Sequence, residues 1–127
     1  MIEALFNQPN YLATKRMMDA TALRHEAIAS NIANVETPNY KRIDVAPNFQ
    51  AELRQAIASK DPSNIGTLKP QLVEDTSTVS GRRDGNNVQL ETELLNLNQN
   101  TVAHTLETQL LTGSLLRMRL AITGRPA

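Results

Sequence analysis

The apolar residues of this chain are concentrated near its C-terminal end, where their spacing predicts one long helix. Residues 90–122 hold ten of the sixteen leucines. One stripe in this segment repeats at alternating intervals of four and three residues, which is typical of a coiled-coil seam. Its positions are Leu90, Leu94, Leu97, Thr101, His104, Thr108, Leu111, Leu115, Met118 and Ile122. A second stripe runs beside it through Leu95, Val102, Leu106, Leu116 and Leu120. Because one partner helix cannot cover both stripes, we expect this helix to pack against more than one neighbour.

A weaker heptad pattern predicts a second long helix near the N-terminus. Pro9 fits only in a first turn, so the helix is expected to begin between Asn7 and Asn10, either of which can cap it. The matching seam runs through Tyr11, Thr14, Met18, Thr21, His25, Ile28, Ile32 and Val35. Two such helices in one short chain predict an antiparallel coiled-coil pair.

Turn-forming residues fill the part of the chain between the two helices. Residues 36–89 hold four of the six prolines and three of the five glycines, a density that excludes long helices. We therefore predict a mainly α fold with an N-terminal helix at 1–36, a loop-rich middle segment at 37–89 with room for short β-structure, and a C-terminal coiled-coil helix at 90–127. The three parts are expected to form one domain.

Several stop signals follow one another where the first helix is expected to end. Asn34 suits a left-handed helix end, and Pro38 forces Thr37 into extended backbone. The segment 37–40 then predicts a β-turn with Pro38 at its second position and Asn39 at positive φ in its third. Tyr40 leaves this turn in a position to pack back on the helix.

Two short motifs flank the middle segment. The first consists of Asn31, Ala33, Asn34, Thr37, Pro38, Asn39 and Tyr40. The second consists of Asp84, Gly85, Asn86, Asn87 and Val88. Together they resemble the signature of the bacterial flagellar rod and hook family, and the continuation over residues 41–49 is similar to that of the proximal rod members. Asn39 stands where the family usually has glycine, and Gln89 where an acidic residue is common.

The resemblance implies a structural role. Members of this family assemble helically into the basal-body rod, whose proximal part acts as drive shaft and export channel for motility. They are type III export substrates, and their terminal helices pack as a coiled coil along the inner tube. The implied partners are other rod proteins, copies of the chain itself, and inner-membrane ring or export-gate components at the rod base. The implied location is the flagellar basal body, in the periplasm-spanning rod, reached without a cleaved signal peptide.

Composition and charge exclude several other classes. Thirteen basic residues balance thirteen acidic ones, so the net charge indicates neither a nucleic-acid nor a membrane-surface partner. Cysteine is absent, which removes disulfides and thiolate chemistry. No apolar run is long enough to cross a membrane, and Glu3 interrupts the only apolar stretch before Lys15, unlike a signal peptide. The basic doublets at 41–42 and 82–83 are expected to be solvated loop charge.

A catalytic or metal site lacks its parts in this sequence. His25 and His104 are the only histidines, and both fall on predicted seam positions. The segment 84–87 faintly resembles a calcium loop, but Leu95 occupies the twelfth position, where that loop needs glutamate. We therefore predict no enzyme activity, small-molecule substrate, cofactor or metal. The alternative is a non-enzymatic coiled-coil adaptor or chaperone of a secretion system, which would form a small defined oligomer.

Assembly contacts are expected late in the C-terminal helix, where both stripes carry leucines within ten residues. The predicted assembly residues are Leu111, Leu115, Leu116, Met118 and Leu120. Since one intrachain helix cannot cover them all, we also expect the isolated subunit to be poorly folded before assembly.

Overall fold

Two long helices form the frame of the structure, a computed structural model that describes residues 2–125. In chain order the elements are α1 (Ile2–Phe6), α2 (Pro9–Ala33), β1 (Ile43–Val45), α3 (Asn48–Ala58), α4 (Pro62–Gly66), β2 (Leu72–Glu74) and α5 (Leu90–Thr123). Helices α2 and α5 are about 37 and 51 Å long at 1.5 Å per residue. They pack antiparallel, because Asn31 near the end of α2 contacts Glu93 near the start of α5. The predicted antiparallel helix pair is confirmed.

The ends of the two long helices follow from their terminal residues. Helix α2 begins at Pro9, as predicted, but its cap residue is Gln8, whose side chain makes no capping hydrogen bond. Helix α5 continues without a break through Gly113 and ends at Gly124, which has a φ of 66°. The N–H of Gly124 donates to the carbonyl oxygen of Leu120 at 2.8 Å, which closes the last turn. No helix in residues 2–125 is long and apolar enough to cross a membrane.

The middle segment contains more helix than its prolines suggested. Helix α3 spans eleven residues, with Pro47 just before it, so proline bounds this helix and does not interrupt it. Phe49 and Leu53 lie one turn apart on α3 and are buried with Ile65 of α4 against Ala13 of α2. This cluster is the apolar core of the described chain, and the periodicity of the long helices gave no indication of it.

A two-stranded antiparallel sheet lies between the helical parts. Strand β1 pairs with β2 in a register that sets Asp44 opposite Val73. The sheet returns the chain from α4 toward the start of α5 and confirms the short β-structure predicted for the middle segment. It also positions Arg42, just before β1, beside Asp75, just after β2.

The face that α5 turns toward α2 is not the predicted leucine seam. Of the ten seam positions only Met118 is buried, and Leu97 and Leu111 are half-buried. The buried positions along the first half of the helix are Glu93, Asn100 and Glu107, one heptad apart. Hydrogen bonds decide this orientation. The side-chain amide of Asn100 donates to the carbonyl oxygen of Thr21 at 2.8 Å. The Thr21 hydroxyl in turn donates to Glu107 at 2.8 Å.

The leucines of α5 are consequently left on the surface. The most exposed apolar residues of its central part are Leu95, Val102, Leu106 and Leu110, each more than half exposed. The accessible surface of the chain is 8463 Å². A folded globular protein of 14.0 kDa has about 6,700 Å², so this molecule exposes about 1,800 Å² more than a globule of its mass.

Candidate functional site: a polar clasp between the two motifs

The two sequence motifs, 44 or more residues apart along the chain, lie against each other at the end of α2. The backbone N–H of Asn39 donates to the carbonyl oxygen of Asp84 at 2.7 Å. The fully buried amide of Asn86 donates to the carbonyl oxygens of Asn34, Val35 and Thr37 at 2.9–3.1 Å. Asn86 therefore binds the backbone of the turns that follow α2 and fixes the path by which the chain leaves the helix.

The predicted turn over residues 37–40 is confirmed. Asn39 has a φ of 60°, and the N–H of Tyr40 donates to the carbonyl oxygen of Thr37 at 3.3 Å. Gly85 of the second motif also has positive φ, at 77°. The backbone angle favours glycine there, and a Cβ atom at Gly85 would also lie 2.6 Å from the Asn39 side-chain oxygen, which would have to move.

The predicted left-handed conformation of Asn34 is wrong. Its φ is −107° and its ψ 17°, outside the left-handed region. The side chain takes over the capping task, because its amide donates to the carbonyl oxygen of Ser30 at 2.8 Å and its oxygen accepts from the Thr37 hydroxyl at 3.1 Å. With the last turn satisfied in this way, the chain leaves the helix through ordinary turns.

Asn31 of the first motif connects α2 with strand β1 and with α5. It is fully buried, and its amide donates to the carbonyl oxygen of Ile43 at 2.8 Å and to Glu93 at 3.2 Å. Its side-chain oxygen accepts from the N–H of Ile43 at 3.0 Å and from the Tyr40 hydroxyl at 3.1 Å. Every donor and acceptor of this amide is therefore used. Tyr40 packs back on α2, as predicted.

Arg42 binds three carboxylates, although the sequence analysis predicted that it would be solvated. Its guanidinium donates to Glu93 at 2.5 Å, to Asp75 at 2.6 Å and to Asp44 at 2.9 Å. The backbone N–H of Arg42 donates to the side-chain oxygen of Asn87 at 2.6 Å. Arg42 is only 5% exposed. The prediction of solvated loop charge for Arg42 is wrong, because its planar fork of donors matches carboxylates from three separate elements.

We call the residues bonded around Arg42, together with Asn86 next to Asn87 in the chain, the clasp. Its members are Asn31, Arg42, Asp44, Asp75, Asn86, Asn87 and Glu93. They come from the end of α2, both strands or their flanks, and the start of α5. Within residues 2–125 the fully buried Glu93 carboxylate makes its one ion pair with Arg42, so it depends on that guanidinium for compensation.

Comparison with known proteins identifies the family of this chain. The family model described as flagella basal body rod protein matches residues 13–41, which includes most of α2 and the first motif. The flagellar basal body rod protein FlgB of Borrelia hermsii is 35% identical over 113 aligned residues, which cover 75% of this chain and 82% of that protein. The chain belongs to the flagellar basal body rod protein family. FlgB of Aquifex aeolicus is 30% identical to this rod-family chain and is covered over 90% of its length, and FlgB of Borreliella burgdorferi is 29% identical.

The electrostatics of the clasp keep its charges fixed. Hydrogen bonds from the Ser77 hydroxyl, with smaller contributions that include Arg42, lower the pKa of Asp75 to about 2. Desolvation acts to lower the pKa of Arg42, but the bonds to Glu93 and Asp44 outweigh it and raise that pKa above its ordinary value. The guanidinium therefore stays charged, as arginine does in proteins. Away from the clasp, burial raises the pKa of Glu107.

The second basic doublet is only partly solvated. Arg82 donates to the carbonyl oxygen of Val35 at 2.8 Å and to Asp84 at 2.9 Å, so it braces the contact between the two motifs from outside. Arg83 is exposed, as predicted. Lys41 donates to the carbonyl oxygen of Gly85 at 2.6 Å, which adds a further link between the motifs.

The groups of the clasp bind one another and the backbone. Its charged groups point at one another, and its amides are occupied by backbone atoms. Within residues 2–125 no group of three or more His, Asp or Glu side chains is arranged to hold a metal ion. What the arrangement does is fix the end of α2, the two strands and the start of α5 at one point.

The predicted assembly residues lie at the far end of α5 from the clasp. Met118 is buried against the rest of the chain and Leu111 is half-buried, so these two are occupied within one copy. Leu115, Leu116 and Leu120 are 41–46% exposed. Their role in assembly stays a prediction.

Proposed function

We propose that this chain is a structural subunit of the proximal flagellar rod, assembling helically to form part of the drive shaft and export channel. The observation that carries the proposal is the uncharged leucine surface of α5. Residues 94–116 contain a single charged side chain, Glu107, and that residue is buried toward α2. The exposed positions of this 23-residue stretch carry leucine, valine and uncharged polar side chains.

An apolar surface of this length needs covering in the working protein. Exposed apolar patches larger than a few hundred Å² are uncommon on monomers and mark interaction sites. The stripes run along most of a helix of about 51 Å, which suits side-by-side packing of many subunits. Family membership supports rod neighbours as the covering partners and argues against the adaptor or chaperone alternative.

The clasp supports the mechanical part of the proposal. A shaft transmits torque only if each subunit keeps its two long helices in a fixed relation. The buried Arg42–Glu93 pair and the fully bonded Asn31 tie α2 to α5 through contacts that tolerate little displacement. Hydrogen bonds to charged groups are shorter and about twice as strong as neutral ones, which suits a contact that transmits torque.

The finer assignments belong to the same proposal. The partners are other rod proteins and copies of this chain, with inner-membrane ring or export-gate components at the rod base. The location is the periplasm-spanning rod of the basal body, reached by export without a cleaved signal peptide. The role is structural, without catalysis.

Charged substitutions late in α5 test the assembly surface. We expect Leu115→Asp and Leu116→Asp to leave secretion of the chain intact but to block rod completion, because a carboxylate would be buried without a partner. The control is Gln55→Asp, which places the same charge on an exposed position of α3. His104→Leu is expected to be far milder than either Asp variant. The measurement is secreted subunit and filament formation, assayed separately. Normal filaments in both leucine variants would refute the role of this helix end.

A further inference from the structure

A groove opens between α3 and α5 along the outer side of α2. Helices α3 and α5 both pack on α2 but leave a space of about 740 Å³ between them. Met17 and Ala20 of α2 form its floor. Leu53 and Ile57 of α3 line one wall, and Ala103 of α5 lines the other. The groove is therefore a trough with three helical sides and an open fourth side.

Two of the charged groups inside this groove have partners in the same copy. Arg24 lies 3.2 Å from Asp44, and Glu107 accepts from the Thr21 hydroxyl. The groove thus offers apolar side chains with compensated charges, which favours an uncharged helix face as its occupant. One charge at the rim is different: Arg54 of α3 is exposed and has no ion pair within residues 2–125.

The chain itself carries a matching helix face. At 100° per residue, Gln99 and Ala103 lie on one side of the buried Asn100, and Leu90 and Leu94 lie on the other. The groove is on the first side, so the flank with Leu90 and Leu94 cannot reach the groove of its own copy. Both leucines are exposed, at 40% and 46%.

The charged residues near the two ends of α5 favour its N-terminal flank as the occupant of the groove. Glu91 lies beside Leu94, is exposed, and makes no ion pair in the described part of the chain, so it can meet Arg54 of another copy. The C-terminal part of the same flank instead carries Arg119, which would repel Arg54.

The spare surface of the chain has the size that two contacts require. A standard interface removes about 800 Å² from each partner. The excess of about 1,800 Å² over a globule of the same mass thus corresponds to about two contacts per copy, one made by the groove and one by the flank. A contact between two different patches does not close on itself by two-fold symmetry and generates open helical assemblies.

We propose that the groove between α3 and α5 receives the Leu90–Leu94 flank of α5 from a second copy of this chain, with Arg54 of one copy facing Glu91 of the next. The inference rests on the proposed function, since it names the partner of the exposed α5 surface. In this arrangement two different patches meet, so the contact between copies is head-to-tail.

A charge exchange in the full chain tests the pairing. Arg54→Glu and Glu91→Arg are each expected to lower incorporation of the chain into isolated basal bodies several-fold, because each places like charges face to face. The double variant restores the pair with its sign reversed, and we expect it to recover most of the incorporation. The control is Gln55→Glu, exposed on α3 beside the groove wall. Full incorporation of both single variants, or no recovery in the double variant, would overturn the inference.

Cysteine crosslinking gives a second readout, because the chain has no cysteine of its own. Copies with Gln50→Cys, at the groove, are expressed together with copies carrying Leu94→Cys, and rods are oxidised. We expect the mixed crosslink between the two kinds of copy. Crosslinks only between two Leu94→Cys copies, or only to a protein of different mass, overturn the inference and leave the proposed function standing. Absence of the unsubstituted chain from basal bodies overturns both.

Discussion

Replacement of Arg42 by methionine removes the centre of the clasp at nearly constant side-chain length. Glu93, with no exposed surface, then keeps only the hydrogen bond from Asn31 at 3.2 Å. Breaking a buried ion pair by removing one partner costs about 3–5 kcal/mol, because the remaining charge is left uncompensated. Asp44 and Asp75 are about one-fifth exposed and recover part of their hydration, so the larger share of the loss comes from Glu93.

Urea unfolding followed by circular dichroism measures this loss, since most of the described chain is helical. With a slope of about 2 kcal/mol per molar, the Arg42→Met midpoint is expected to fall by about 1.5–2.5 M. Domains of this size have a free energy of unfolding of about 5–15 kcal/mol, so the variant is expected to lie near the limit of folding.

A double variant separates the buried charge from other effects of the substitution. In Arg42→Met with Glu93→Gln, the neutral amide still accepts from Asn31, and the clasp no longer holds a fully buried charge. We expect it to regain more than half of the lost free energy of unfolding. Arg83→Met serves as the control, because Arg83 is exposed, and its effect is expected within about 0.5 kcal/mol. A loss below about 1 kcal/mol for Arg42→Met, or a double variant as unstable as the single one, would refute the reasoning.

Three further predictions concern the turn, the acid limit and the middle segment. Asn39→Gly is expected to leave motility unchanged. Asn39→Val is expected to lower the free energy of unfolding by about 1–2 kcal/mol, because valine is strained at a φ of 60°, and to impair motility. Equal motility of the two variants at matched expression would contradict this. Because the pKa of Asp75 is lowered to about 2, its ionisation stabilises the fold above about pH 4 and that contribution is lost as the pH falls toward 2. Acid titration of Asp75→Asn is expected to lack this component, and a profile with the parent's slope would show that Asp75 is not responsible. The sequence predicted a poorly folded isolated subunit, but the buried cluster around Leu53 leads us to expect slow amide exchange in residues 48–58 of the monomer. Unprotected exchange throughout residues 40–85 would favour the earlier expectation.

The features that the sequence predicted well are those that neighbouring residues determine. Pro9 marked the start of α2, and Pro38 with Asn39 marked the turn, because both depend on backbone angles that single residues restrict. The two long helices were predicted by periodicity that persists over many turns. Their antiparallel packing followed from the connection between them.

The features that the sequence did not predict depend on partners far along the chain. A heptad of leucines identified a helix, but the side that faces α2 was decided by Asn100 and Glu107, whose value depends on Thr21 lying opposite. Arg42 looked like loop charge because its carboxylates come from positions 44, 75 and 93. No local spacing joins those three residues, so only the fold brings the clasp together.

Folding of one copy removes little leucine surface from water along α5, because its contacts with α2 pass through Asn100 and Glu107. The heat capacity of unfolding rises with the apolar area exposed, by about 0.45 cal/K/mol per Å², so the stability of a single copy is expected to vary gently with temperature. The stripes leave water only when copies associate, and that step therefore carries the larger negative heat-capacity change. Association driven by apolar burial weakens on cooling. We expect calorimetry to find that cold separates the subunits of a rod before it unfolds any of them.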